Sequence, residues 1–202
     1  MLRYGLTGGI ASGKSTVAAM LRECGFPVLE ADRMAHELIE PGGAAYQEVV
    51  GRFGAGIVGP GGSIDRQRLA ALVFQDRAKL DELNSIVHPR VEEAVERSFA
   101  ALEASGTRGA AFVEAALIFE AGLQNKLDGV VVAWCLPEQQ LERLRDRGMS
   151  EAEARQRIAM QMPVEEKLAK GSEKIDCSGS LAETRRQVAA LAEKLRGPAA
   201  GL

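Results

Sequence analysis

Eight residues near the start of the chain constrain its fold more than any other feature. Gly8-Gly9-Ile10-Ala11-Ser12-Gly13-Lys14-Ser15 fits the pattern G-x-x-x-x-G-K-[ST] in full. Such a string does its chemistry only between a buried strand and a helix. Its glycines let the backbone wrap a phosphate without Cβ clashes. Successive N–H groups and the positive end of the helix then face the anion. The flanks meet this requirement. Leu2 to Thr7 is short and apolar and reads as a buried strand. Val17, Met20 and Leu21 follow at helical spacing, and Gly25 with Pro27 stop the helix. Lys14 has the reach for β- and γ-phosphates, the Ser15 hydroxyl suits Mg²⁺, and Thr16 suits an α-phosphate. Gly8 through Thr16 are therefore the candidate nucleotide site, with a nucleoside triphosphate as the expected ligand and Ser15 as the candidate metal ligand.

The rest of the pattern places this loop in an α/β domain. Val28-Leu29 reads as a second strand closed by Glu30-Ala31-Asp32, Ala110 to Glu114 as a third, and Gly129 to Leu136 as a fourth. Lys174 to Asp176 suggests a short fifth. Helical spacing is expected over 33–39, around Val49 and Phe53, and from Asp65 to about Ser105, with a break at His88-Pro89. Pro137 fits the first turn of a helix carrying Leu141 and Leu144. Ser150 with Glu153 forms a capping box, Ser180 caps a last helix through Leu195, and residues 197–202 read as a frayed tail. Alternating strands and helices predict a mainly parallel sheet of about five strands, with ligands beyond the strands' carboxyl ends. Those ends are Thr7, Glu30 to Asp32, Glu114 and Leu136. The helical stretch 61–105 is longer than a βα repeat needs. It reads as a substrate-binding insert, leaving 1–60, 106–140 and 172–202 as core.

Charge and composition remove other classes. The 25 basic and 28 acidic residues give a net charge of −3, against a general nucleic-acid or membrane-surface binder. Three cysteines without a CxxC pair fit a reducing compartment, and Lys14 with the early glycines breaks any signal-peptide core. With no long apolar run, the expected location is the cytoplasm. Oligomeric state is not encoded in any feature of the sequence.

One string points elsewhere. Asn125-Lys126-Leu127-Asp128 matches the guanine-reading N-K-x-D of GTPases. There it ends a buried strand, whereas here the apolar strand follows it. A small-molecule kinase fits better, since it needs an acceptor site near the second strand and cations for the moving phosphoryl group. Asp32, just past that strand, suits an acceptor hydroxyl as base, or caps the next helix. Arg143 and Arg147, four apart, offer guanidinium forks for phosphate; the other reading is a solvated face paired with Glu142, Glu151 and Glu153. Glu114 ends the third strand, in a place suited to holding Mg²⁺ through water or touching substrate. His88 is a second candidate substrate contact, or marks a helix break. Trp134 reads as core.

These residues together resemble the dephospho-CoA kinase family, over nearly the whole chain to about Val188. The resemblance rests on LTGGIASGKSTVA (6–18), EADRMAHELIEPGGAAYQEVVGRFG (30–54), LNSIVHPRV (83–91), ALIFEAGL (116–123) and RIAMQMPVEEK (157–167). It implies an α/β, three-layer P-loop kinase fold with a helical CoA-binding insert and a helical lid over 141–171. It implies ATP-dependent phosphorylation of the ribose 3′-hydroxyl of dephospho-CoA, with Mg²⁺. Asp32 takes the place of the family's base, and Arg143 and Arg147 that of its lid arginines. Glu30 for the first acid, Ala116 for a proline and Cys177 for an asparagine depart from the family pattern, and so does the stretch Gly171 to Lys174.

Overall fold

The computed structural model describes residues 1–196, so the tail expected at 197–202 lies outside the described residues. Its strands are β1 (Leu2–Thr7), β2 (Val28–Glu30), β3 (Ala110–Glu114), β4 (Gly129–Trp134) and β5 (Glu173–Asp176). They form one parallel sheet in the order β2-β3-β1-β4-β5. β1 sits at the centre, with Leu6 opposite Glu114 on one side and Val131 on the other.

Both faces of the sheet are covered, which explains why the strands read as continuous apolar runs. Leu6, Phe112, Val131, Ala133 and Ile175 share one face with Val17 and Leu21 of α1 (Lys14–Glu23) and Val188, Leu191 and Leu195 of α9 (Leu181–Arg196). The alternate residues Val113, Val130 and Val132 are buried as well. On that second face Gly5 leaves no room for a side chain, since a Cβ would lie 2.7 Å from Ile118 Cδ1. The capping box expected at Ser150 and the cap expected at Ser180 are present, each closed by the glutamate three residues on.

The chain divides into two compact units, Met1–Glu30 with Phe99–Leu202 and Ala31–Ser98. The second thus takes in 31–60, which the sequence reading left with the core. It contains α2 (Ala31–Leu38), α3 (Tyr46–Phe53), α4 (Arg66–Phe74) and most of α5 (Arg77–Ala104). Its own core gathers Ile39, Val49, Ile57, Ile64, Leu69, Val73 and Ile86. The glycine-rich stretch Gly54–Gly62 holds a short 3-10 turn at Ala55–Ile57 and, through Val58, a bridge to Ile64.

The break expected at His88-Pro89 does not occur. Helix α5 runs through Pro89 without interruption. A mid-helix proline removes one rung and costs about 3 kcal/mol. Burial of Ile86 before it and Val95 after it offsets that cost. The Arg90 guanidinium also braces the spot, donating to Ile86 O at 2.6 Å, to Ala44 O at 3.1 Å and to Glu48.

Three further α-helices and a 3-10 turn at Leu123–Lys126 belong to the first unit. Helix α6 (Pro137–Asp146) follows β4, α7 (Glu151–Ala159) follows its capping box, and α8 (Val164–Lys170), unforeseen from sequence, leads into β5.

Candidate active site

The glycine loop joins β1 to α1 as its motif requires. Gly13 adopts φ 103°, in the left-handed region, and a Cβ there would lie 2.8 Å from Cys177 Cβ. Both conformation and space restrict this position to glycine. Ala11 is left-handed too, at φ 58°. For a residue with a Cβ this conformation costs on the order of 1 kcal/mol. Elements outside the loop hold it there. Gln140 of α6 donates to Ile10 O at 2.8 Å, and Gln161 accepts from Ile10 N at 2.8 Å. Arg143 of α6 donates to Ala11 O at 3.1 Å and to Cys177 O at 2.8 Å.

Inside the loop, Ser12 N bonds Gly9 O, and Thr16 N bonds Gly13 O. The N–H groups of Ala11, Gly13, Lys14 and Ser15 take no partner among the described residues. Ser12 Oγ is buried without one as well. A concave run of unpaired amides at a helix start is an anion site by construction. Lys14 Nζ lies 2.7 Å from Glu114 Oε1, and Ser15 Oγ lies 3.2 Å from the same oxygen. The carboxylate is nearly buried, its side chain 9% exposed and that of Lys14 14%. Glu114, from the end of β3, therefore gathers the two loop groups that deal with phosphate charge. The hydroxyl and carboxylate oxygens are the hard donors that Mg²⁺ prefers, so the residues fit that ion.

The sequence profile of the dephospho-CoA kinase family matches residues 2–183. The chain belongs to the dephospho-CoA kinase family. A dephospho-CoA kinase of Geobacillus kaustophilus is 44% identical over 191 residues, covering 94% of each chain. One of Syntrophotalea carbinolica is 46% identical over 198 residues, covering 96% of this chain and 92% of the relative. Among solved structures, a Thermus thermophilus protein matches with a TM-score of 0.81 at 35% identity over 97% of this chain and 98% of its own. A dephospho-CoA kinase from Campylobacter jejuni matches with a TM-score of 0.72 at 26% identity over 96% of each chain.

In this kinase, Lys14, Ser15, Glu114 and Arg143 gather around the loop. Arg147 does not join them. It is the C-cap residue of α6 and is exposed. Asp32 and His88 belong to the second unit. Asp32 is exposed in the first turn of α2, not at its cap. His88 lies in the continuous α5, and burial lowers its pKa below 6.5 while Glu92 pulls it back up.

The departing positions 30, 116 and 177 are each engaged locally. Glu30 pairs with Arg22 at 2.6 Å. The Ala116 carbonyl accepts from Thr7 Oγ1 at 3.1 Å and Lys167 Nζ at 2.7 Å. Cys177 offers its carbonyl to Arg143, and burial pushes its thiol up to about 11, with Cys135 adding to the rise. The GTPase-like string has a structural use, because Asp128 Oδ2 accepts from Arg3 N at 2.7 Å and Asp128 N donates to Arg3 O at 2.8 Å. Trp134, expected in the core, is half-buried.

Four polar residues of the site, Gln140, Gln161, Lys167 and Glu120, were not foreseen. Gln140 carried a signal, a polar residue on the same helical face as buried Leu144. Gln161 and Lys167 lie within a block that resembles the family, but nothing in their spacing marks them.

Proposed function

We infer that this protein transfers the γ-phosphoryl group of ATP to the ribose 3′-hydroxyl of dephospho-CoA, giving coenzyme A and ADP. The single observation that carries the phosphate side is the loop itself: the unpaired amides of Ala11, Gly13, Lys14 and Ser15, with Lys14 and Ser15 gathered on Glu114. Family membership carries the acceptor.

The loop amides bind the phosphates and Lys14 follows the charge on the β- and γ-groups. Ser15, with Glu114 near it, would hold Mg²⁺, which when bound would supply neutralisation of phosphate charge. Asp32 orients the 3′-hydroxyl and accepts its proton. The 3′-oxygen bonds the γ-phosphorus as the bond to the β,γ-bridging oxygen breaks, and the bridging electrons leave with ADP. Arg143 braces the loop, and Arg147 offsets charge on the transferring group from the lid at 141–171. The second unit, including His88, binds the acceptor. The near-neutral charge balance and the sparse cysteines support action in the cytoplasm on a small molecule, without nucleic acid or membrane.

The test is ADP release with ATP and Mg²⁺ in the presence of dephospho-CoA, AMP or CMP. Stimulation by dephospho-CoA alone, with a 3′-phosphomonoester in the product by phosphorus NMR, is the expected result. Stimulation by AMP or CMP instead overturns the acceptor and keeps the loop chemistry.

A further inference from the structure

Lys167 carries a charge that the reaction above does not use. Its side chain is 0% exposed, and its ammonium reaches Glu120 Oε1 at 2.9 Å and Ala116 O at 2.7 Å. A buried ion pair adds little stability over apolar packing, and its best-attested use is to fix one arrangement. What it fixes here can be followed bond by bond. Glu120 Oε1 also accepts from Met162 N at 2.9 Å. Met162 follows Gln161, whose side chain takes Ile10 N. Ala116 O accepts from Thr7 Oγ1 as well, and Thr7 ends β1 just before the loop. Lys167 thus ties the 161–162 backbone to the segment after β3, and the network reaches Thr7 just before the phosphate loop and Ile10 within it.

The loop needs such support. Ala11 is held left-handed, and its neighbour Ile10 has both backbone groups taken by side-chain amides, from Gln140 and Gln161. We propose that the buried Lys167–Glu120 pair and Gln161 act as one positioning device that sets the Ile10–Ala11 peptide, and so the shape of the phosphate cradle, before ATP arrives. They are positioning residues and act through the loop. The inference rests on the phosphoryl-transfer reading of this loop and does not depend on which acceptor is used.

The test is a double-mutant cycle on Gln161→Ala and Lys167→Met, with Lys167→Arg as the conservative variant. Each single change is expected to lower kcat/KM for ATP about tenfold or more, because small misplacement at a reacting centre is costly. The KM for dephospho-CoA is expected to stay within about twofold. The double variant should be no worse than the poorer single, since one device fails once. Lys167→Arg should recover part of the loss. Independent, multiplying losses overturn the proposal. So does a Gln161→Ala enzyme with ordinary ATP kinetics, or a Lys167→Met enzyme that loses only thermal stability. Should Lys167→Met not fold, Glu120→Gln replaces it in the cycle with the same expectations. Should the wild-type enzyme prefer another acceptor, the acceptor assignment fails and the cycle is read with that acceptor.

Discussion

The phosphate loop and the residues of the Ala31–Ser98 unit are held in opposite ways. Around the loop, Lys14 and Ser15 share one buried carboxylate, and Gln140, Arg143 and Gln161 clamp the Ile10–Ala11 backbone. In the other unit Asp32 lies exposed in a first turn, and many of the ion pairs, such as Arg33–Glu37 and Arg77–Asp81, are exposed ones of little energetic weight. Donor chemistry is built in advance, where fixed dipoles stabilise developing charge without reorganising. Acceptor chemistry is assigned to side chains that the fold leaves open. The difference teaches that geometry in the free protein identifies phosphate-handling groups better than acceptor-handling ones.

Four changes sharpen or break that contrast. Asp32→Asn should lower kcat by about 10²- to 10⁴-fold, the range for loss of a general base, with the KM for ATP little changed. Steady-state kinetics at saturating ATP decide it, and a full-rate variant removes Asp32 from the reaction. Lys14→Ala should lower kcat by about 10²- to 10³-fold, as loss of one preorganised charge donor does. It should also leave Glu114 without its ammonium partner, so its ATP-dependent rise in Tm should shrink. An undiminished rise would show that Lys14 contributes nothing to the bound nucleotide.

Ile86→Ala should cost about 2–5 kcal/mol through the cavity it leaves in the second core. Hydrogen exchange should show lost protection in α3, α4 and the first turns of α5, with β1, β3 and β4 unaffected. Equal loss in the sheet would mean that the two cores do not fail separately. The smallest effect concerns His88. Burial holds its folded pKa below the ordinary 6.5, so the folded state binds fewer protons than the unfolded one as pH falls through that value. Stability should decline as pH drops below 6.5 and level off once the folded group is protonated. Replacing His88 by Asn should flatten this limb of the Tm profile; an unchanged limb would assign it to other groups.

Much of this was readable in advance, for physical reasons that differ by region. β1, β3 and the glycine loop were legible because buried parallel strands demand continuous apolar runs, and the loop's glycines answer to backbone geometry. The Ser150 and Ser180 caps were legible because capping is local. Pro89 misled because tertiary burial of Ile86 and Val95 outweighs a local penalty. Arg147 stays undecided by its spacing because it falls at the exposed end of α6, where an arginine for phosphate and a solvated one look alike in sequence. Lys167 was invisible because a charged residue in VEEKLAK looks solvated, and only distant partners, Ala116 and Glu120, make its burial tolerable.

The strand order has a consequence for how the molecule comes into being. β1 is synthesised first, yet its hydrogen-bonding neighbours are β3, with Leu2 opposite Ala110, and β4, with Tyr4 opposite Gly129. During translation the central strand has no edge to pair with until more than half of the chain has emerged, and such distant pairings are slow to close. The loop that binds nucleotide hangs from that same strand. A growing chain therefore carries its phosphate-binding motif long before it can hold a phosphate, and ligand binding reports that the sheet has been completed.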